Sequence, residues 1–303
     1  TKRGAYMEKY ICIDIGGTAI KYGIISADDT ILTKNQMDTQ AHKGGPEILK
    51  KVINIVQNAI DEYGEKITGI CISTAGMVDD KKGKIFYSAP LIPNYAGTQF
   101  KKVLEEKFHI PCEVENDVKC AGLAEYKTGA GKNSSIMLML TIGTGIGGCI
   151  IIDGKIFHGF SNSACEVGYM YMDGSDYQTL GAASILTQKV AEWKGESKDN
   201  WNGYRIFEEA KNGDELCNRA IDEMSEAIAK GIANICCVIN PEVVVLGGGI
   251  MEQEEFLKDK IENGVKKYLV SSIEKNTTIK FAKHRNDAGI LGAYYNFCNK
   301  HSK

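Results

Sequence analysis

The stretch Asp14–Ile25, DIGGTAIKYGII, sets an acid, two glycines and a threonine between two apolar runs. A strand ending in an ordinary turn has no need of two consecutive residues without side chains. Consecutive glycines let backbone N–H groups converge on one point and let an anion approach without meeting a Cβ. Thr18 and Lys21 add hydrogen-bond donors to the same turn, a combination that suits phosphate. A second stretch, Thr141–Ile152, TIGTGIGGCIII, aligns with the first without gaps. Each has an apolar strand before it, a small-residue turn inside it and an apolar strand after it. Asp14, Gly16, Gly17, Thr18 and Lys21 in one copy are therefore candidate phosphate-binding residues, as are Thr141, Gly143, Thr144, Gly145 and Gly147 in the other. A hairpin repeated once per lobe predicts a duplicated architecture with a central cleft between the copies.

Two familiar phosphate motifs do not apply. No Gly-Lys pair is followed by Ser or Thr, so there is no Walker A loop. GTGIGG satisfies the G-x-G-x-x-G spacing, but a dinucleotide turn must open a helix, and this one opens the strand CIIID.

Composition bounds the remaining possibilities. The 303 residues are 43% hydrophobic and 25% charged, the balance of a globular protein with room for two domains. Thirty-six basic against thirty-nine acidic residues give −3, with no long block of one sign, so neither a nucleic-acid nor a membrane surface is expected. Ten scattered cysteines form no C-x-x-C pair and read as thiols in a cytoplasmic chain. There is no spanning apolar run and no signal-peptide core. Residues 1–6 precede Met7 and belong to no expected element; a DNA-binding helix-turn-helix in front of the first strand is not expected.

Strands and helices alternate along the chain, as in α/β proteins. A strand from Lys9, a second at Tyr22–Ile25 and a third near Ile31–Met37 precede an amphipathic helix from Pro46 to about Tyr63, with Ile48, Val52, Ile55 and Val56 on one face. Strands at Ile67–Thr74, Cys112–Glu115, Ile136–Leu140 and Thr278–Ala282, and a long helix over Asp214–Ile239, are further expectations. KTGAGKNSS, small and polar, marks the best domain junction. Three more turns end strands. LGGGI, with Gly247 and Gly248, suits a nucleotide base or ribose or simply a strand-to-helix turn; STAGMVD, with Gly76, suits a substrate loop; END sets Asn116 and Asp117 at a helix start, where capping alone also explains them.

Taken together, Asp14, Thr18, the second hairpin, Asn116–Asp117 and LGGG resemble the actin-like sugar-kinase superfamily, and more narrowly the ROK family of bacterial sugar kinases and related repressors. The resemblance runs from Met7 to about Phe297. It implies a two-lobed actin-like (ribonuclease H-like) α/β fold, with one lobe at 7–118 plus 288–303 and the other at 119–287. It also implies that the two hairpins flank the phosphates of ATP, that Asp14 lies near Mg2+ through water, and that Asp117 is the general base. Asn116 and Glu166 would fix the sugar hydroxyls, with Gly76 giving close approach and Asn94 a further candidate. A homodimer is the family's expected assembly. The chain departs from the pattern in two places. CEVGYM matches at Glu166 and Gly168 but has Tyr169 where His is usual, and the segment after it carries no Cys or His to build the family's zinc loop, so no structural zinc is expected. Ser184 would stand where that loop ends in a glutamate near the anomeric hydroxyl.

The expected activity is ATP-dependent phosphorylation of the primary hydroxyl of a glucose-type sugar, with β-glucosides such as cellobiose favoured by the loss of the glutamate and zinc-loop His. Glucose and N-acetylmannosamine are the alternatives within the class. A non-catalytic sugar-sensing regulator of the same family is the alternative outside it, opposed by the presence of Asp117.

Overall fold

In a computed structural model that describes residues 7–301, the chain forms two units. The first comprises 7–127, His158–Ala164 and 286–301; the second comprises 128–157 and 165–285.

In the first unit, β1 (Lys9–Ile15) and β2 (Ala19–Ser26) form the glycine hairpin, followed by β3 (Asn35–Asp38), α1 (Gly45–Tyr63), β4 (Ile67–Thr74), the small hairpin β5 (Met77–Asp79) and β6 (Lys84–Tyr87), α2 (Phe100–Phe108), β7 (Cys112–Asn116) and α3 (Asp117–Thr128). The sheet order is β3-β2-β1-β4-β7. β3 starts later than the apolar pattern suggests. Thr33 Oγ1 accepts the Ile24 N–H at 3.0 Å, so a side chain replaces the ladder there. A Cβ on Gly23 would meet Thr33 O at 2.0 Å, so only glycine admits this approach. The face of α1 read from the sequence is the buried one: Ile48, Val52, Ile55 and Val56 pack with Ile13, Ile72 and Phe100. Each such side chain contributes about 1.5–3 kcal/mol on leaving water.

The second unit holds β8 (Ile136–Ile142), β9 (Ile146–Ile152), β10 (Lys155–Ile156), β11 (Tyr171–Met172), β12 (Ser175–Asp176), α4 (Tyr177–Gly181), α5 (Ala183–Lys194), α6 (Gly203–Lys211), α7 (Glu215–Ile239), β13 (Val243–Gly247), α8 (Glu254–Tyr268), α9 (Ser271–Glu274) and β14 (Thr278–Phe281). α7 begins where the Asp214 carboxylate accepts the Cys217 N–H and ends at Asn240 in the left-handed conformation. Its Gly231 lets the Tyr177 ring lie against the helix backbone; a Cβ there would be 2.1 Å from the ring. Tyr177 donates to Ile228 O at 2.9 Å.

The sheet of the second unit runs β10-β9-β8-β13-β14. Strand for strand this repeats the first: an antiparallel edge, the antiparallel hairpin, then two parallel neighbours. The gapless match between the two hairpins therefore reflects a duplicated unit. From 286 the chain is again part of the first unit, where α10 (Ala288–His301) packs on β4, β1 and β7.

Candidate active site

Three parallel strand ends assemble the first unit's candidate residues. Register pairs Asp14 with Ser73 and Ile15 with Thr74, and then Ser73 with Glu115 and Thr74 with Asn116. Polar residues at the ends of adjacent strands must therefore share one edge of the sheet.

At that edge Ser73 Oγ donates to Asp14 Oδ1 at 2.7 Å. Burial pushes the Asp14 carboxyl above its ordinary value, with Ser73 and the facing Lys21 pulling the other way. Lys21 also donates to Asn286 Oδ1 at 2.9 Å, just before α10. The turn between β1 and β2 is closed by Gly16 N–H to Ala19 O at 3.0 Å, and Gly17 is exposed with open space where a Cβ would stand. Thr39, buried after β3, supports the turn from behind through Oγ1 to Gly16 O at 2.7 Å and N–H to Thr18 O at 2.9 Å. Thr39 carries no motif, and only its position after a short strand singles it out.

Asn116 both caps and connects. Its Oδ1 accepts the N–H groups of Val118 and Lys119 at 3.0 and 3.2 Å, starting α3, while Nδ2 donates to Gly76 O at 2.9 Å. The capping reading of END is thus correct for Asn116. Asp117 is the first residue of α3 and accepts the Val118 N–H at 2.9 Å. Gly76 has φ +96 and a Cβ there would meet Tyr87 O at 2.9 Å, so the turn after β4 requires glycine. Asn94 is exposed, φ +51, beside the buried Tyr95, whose hydroxyl is 2.5 Å from Thr74 Oγ1. Burial and then the negative charges of Asp117 and Asp14 push the Tyr95 hydroxyl well above its ordinary range, so it stays protonated.

Under this edge lies a group that no motif announced. Glu115 is fully buried and bonded to His158 Nε2 at 2.7 Å. Burial pushes its carboxyl up, but His158, Lys119 and the Asn116 N–H outweigh that and hold it below the ordinary value.

In the second unit, Gly143 N–H donates to Gly145 O at 2.9 Å to close the β8–β9 turn. Gly147 lies within β9 opposite Thr141, inside the ladder and not in the turn. Gly247 ends β13, and a Cβ there would strike Met139 Cε at 2.7 Å; Gly248, φ +97, lies against Ile142 O, 2.2 Å from where its Cβ would be. These two glycines pack the turn onto the hairpin, and the next residue, Gly249, lines a cavity of about 400 Å3. Gly143, Thr144, Ser184, Thr187, Trp201 and Tyr204 form its other walls. Its mixture of apolar surface and hairpin backbone suits a purine attached to phosphates. Trp201 and Tyr204, on the turn into α6, were not among the candidates. An aromatic pair in a polar loop is the signal that could have found them.

Glu166 precedes the short turn Val167–Tyr169 and Gly168 lies at its centre against the same hairpin, where a Cβ on Gly168 would meet Ile146 O at 2.4 Å. Tyr169 is 53% exposed. Ser184 Oγ donates to Thr144 O at 2.6 Å on the cavity wall. The segment's side chain beside Gly168 is Gln178, 3.0 Å from where a Cβ would be. Among the described residues, no three His, Cys, Asp or Glu side chains gather as a metal site.

Magnesium accompanies ATP in phosphoryl transfer. The donor set fits such an ion: one carboxylate, Asp14, beside an open glycine turn, with no cage of ligands among the described residues to compete with water and phosphate.

Two units with one strand order, each carrying a glycine hairpin, define an α/β protein of the actin-like, hexokinase-type ATPase fold. The chain belongs to the ROK family, whose model matches residues 10–299. It is 51% identical to an uncharacterised protein of Clostridium perfringens over 98% of this chain and 100% of that one. It is 30% identical to a β-glucoside kinase of Listeria monocytogenes over 97% of this chain and 99% of the relative. The ROK glucokinase of Streptomyces griseus, solved with glucose and AMPPNP, superposes with a TM-score of 0.80 at 25% identity, over 94% of this chain and 97% of that one. The protein is an ATP-dependent carbohydrate kinase.

Proposed function

We propose that the kinase transfers the γ-phosphate of ATP to the primary (6-) hydroxyl of the non-reducing glucose of a β-glucoside such as cellobiose. The observation that carries this reading is the 30% identity to a β-glucoside kinase across nearly the whole of both chains. The segment after Glu166 supports it. Its two acids are engaged elsewhere, Asp173 with Lys230 and Asp176 capping α4, so no carboxylate there is left to reward a free anomeric hydroxyl.

In this reading Asn116 and Glu166 hold sugar hydroxyls, with Gly76 and Asn94 at the rim and Tyr169 offering an aromatic face to the aglycone. Asp117 accepts the proton of the primary hydroxyl as that oxygen bonds to the γ-phosphorus. The bond from the γ-phosphorus to its bridging oxygen breaks, giving sugar phosphate and ADP. An ordinary carboxylate serves as base when proton transfer is late. The N–H groups of Gly17, Thr18, Thr144 and Gly145, with Thr141, hold phosphates in turns that Gly16 and Gly143 close, and the second unit's cavity holds the adenine. Asp14 would hold Mg2+ through water, and the charge neutralisation such an ion supplies would fall on the phosphates. A cytoplasmic homodimer completes the reading, and sedimentation measures the assembly.

Coupled kinase assays with cellobiose, glucose and N-acetylmannosamine test the substrate. Cellobiose should have the highest kcat/KM, and a 6-deoxy analogue should be inert. Values for β-glucosides more than about tenfold below the best monosaccharide, about 1.4 kcal/mol of transition-state binding, overturn the assignment.

A further inference from the structure

The pair Glu115–His158 takes no part in the chemistry above, yet it ends two residues before Asp117. The two oxygens of Glu115 are divided: Oε1 accepts the Asn116 N–H at 2.8 Å and Oε2 accepts from His158 Nε2 at 2.7 Å. An ionised carboxylate can only accept, so the imidazole donates through Nε2. Asn116 passes the connection on to Gly76 O. Hydrogen bonds therefore run unbroken from His158 through Glu115 and Asn116 to the turn after β4. On α3 the buried Lys119 sends Nζ to Asn162 O at 3.0 Å. The segment His158–Ala164 is thus gripped twice, at His158 and at Asn162, by side chains on either side of Asn116–Asp117. Between the grips it is sharply turned, with Gly159 at φ +71, Asn162 at φ +63 and Ala164 N–H closing on His158 O at 3.1 Å.

Apolar packing would hold a surface segment without burying a carboxylate and an ammonium group. Taking such charges out of water costs several kcal/mol each, and stability alone is a weak reason to keep them. What a charged, directional tie adds is angle, and here the angle is that of the backbone entering α3.

We propose that His158 and Glu115 are positioning residues for Asp117, fixing the direction in which that carboxylate leaves the end of β7. The proposal rests on the reading of Asp117 as the base. A reacting group displaced by about 1 Å costs up to about a hundredfold in rate, so loosening the tie should lower kcat with little change in binding.

The test is steady-state kinetics of the full chain with its best sugar, normalised to nucleotide-binding sites counted by titration with a non-hydrolysable ATP analogue. His158→Ala should lower kcat roughly tenfold or more, with both KM values within about threefold. His158→Gln, which keeps an N–H donor, should recover most of that loss. If the alanine variant does not fold, His158→Asn, too short to span the gap, takes its place. In an Asp117→Asn background, loss of His158 should remove nothing further, because the aimed group is already gone. Unchanged kcat in His158→Ala, or a loss that recurs in full in the double variant, overturns the positioning role while leaving Asp117 as base. Near wild-type kcat in Asp117→Asn alone overturns the assignment of the base, and this proposal with it.

Discussion

The carboxyl of Asp14 occupies the space that a side chain on Gly289 would need: a Cβ there would stand 2.2 Å from Asp14 Cγ. The first turn of α10 therefore lies directly against the acid at the end of β1. In Gly289→Ala the added methyl overlaps the buried carboxyl, and the side chain that yields is that of Asp14. We expect kcat to fall on the order of tenfold or more, with ATP-analogue binding in the second unit's cavity retained. Parallel kinetics and binding titrations check this; an unaltered kcat shows that Asp14 need not hold its position.

Asp14→Asn separates stability from activity. Burial raises the Asp14 carboxyl above its ordinary value of 3.8, so ionisation opposes folding as pH rises through the folded-state value. A neutral amide still accepts the Ser73 hydroxyl. The variant should melt at a higher temperature than wild type at pH 7, while turnover falls on the order of a hundredfold. A lower Tm contradicts the burial argument.

Acid should act through Glu113 and Glu115. Burial pushes each up, but Lys101 and Lys300 at Glu113, and His158 at Glu115, bring both net below the ordinary 4.5. A depressed carboxyl stabilises the fold above its unfolded value and loses that contribution as pH falls through the folded one. Melting temperatures should thus hold above about pH 4.5 and decline below it. Glu113→Gln should be less stable at pH 7, with Lys101 and Lys300 left without their carboxylate, and should show a shallower acid decline. Equal slopes for both proteins tell against the assignment.

The cavity wall gives a selective handle on nucleotide. Thr187, on α5, lines the cavity, and its hydroxyl donates to Ala183 O of its own helix at 3.1 Å. Thr187→Trp should raise KM for ATP by about tenfold or more, equivalent to about 1.4 kcal/mol, with KM for sugar unchanged. Equal effects on both substrates place the adenine elsewhere.

Much of this was legible in the residues because hairpins and buried helix faces carry local patterns. The paired glycine turns announced the duplication, and 3.6-residue spacing marked the buried face of α1. Thr39, Gly289 and His158 were not legible. Each matters through a partner far along the chain, and nothing in its immediate neighbours records that partner. Trp201 and Tyr204 were missed because their role is to close a cavity whose floor is built elsewhere in the sequence.

The return of α10 to the first unit also has a consequence for synthesis. Lys21 and its partner Asn286 are 265 positions apart, and α10 covers β1 and β4 only after both have long been made. At about 5–20 residues per second, the ribosome leaves the first sheet without its last helix for many seconds, during which the second unit can be completed. The unit begun first is therefore finished last, and its bare apolar face is the part of the nascent chain most in need of a chaperone.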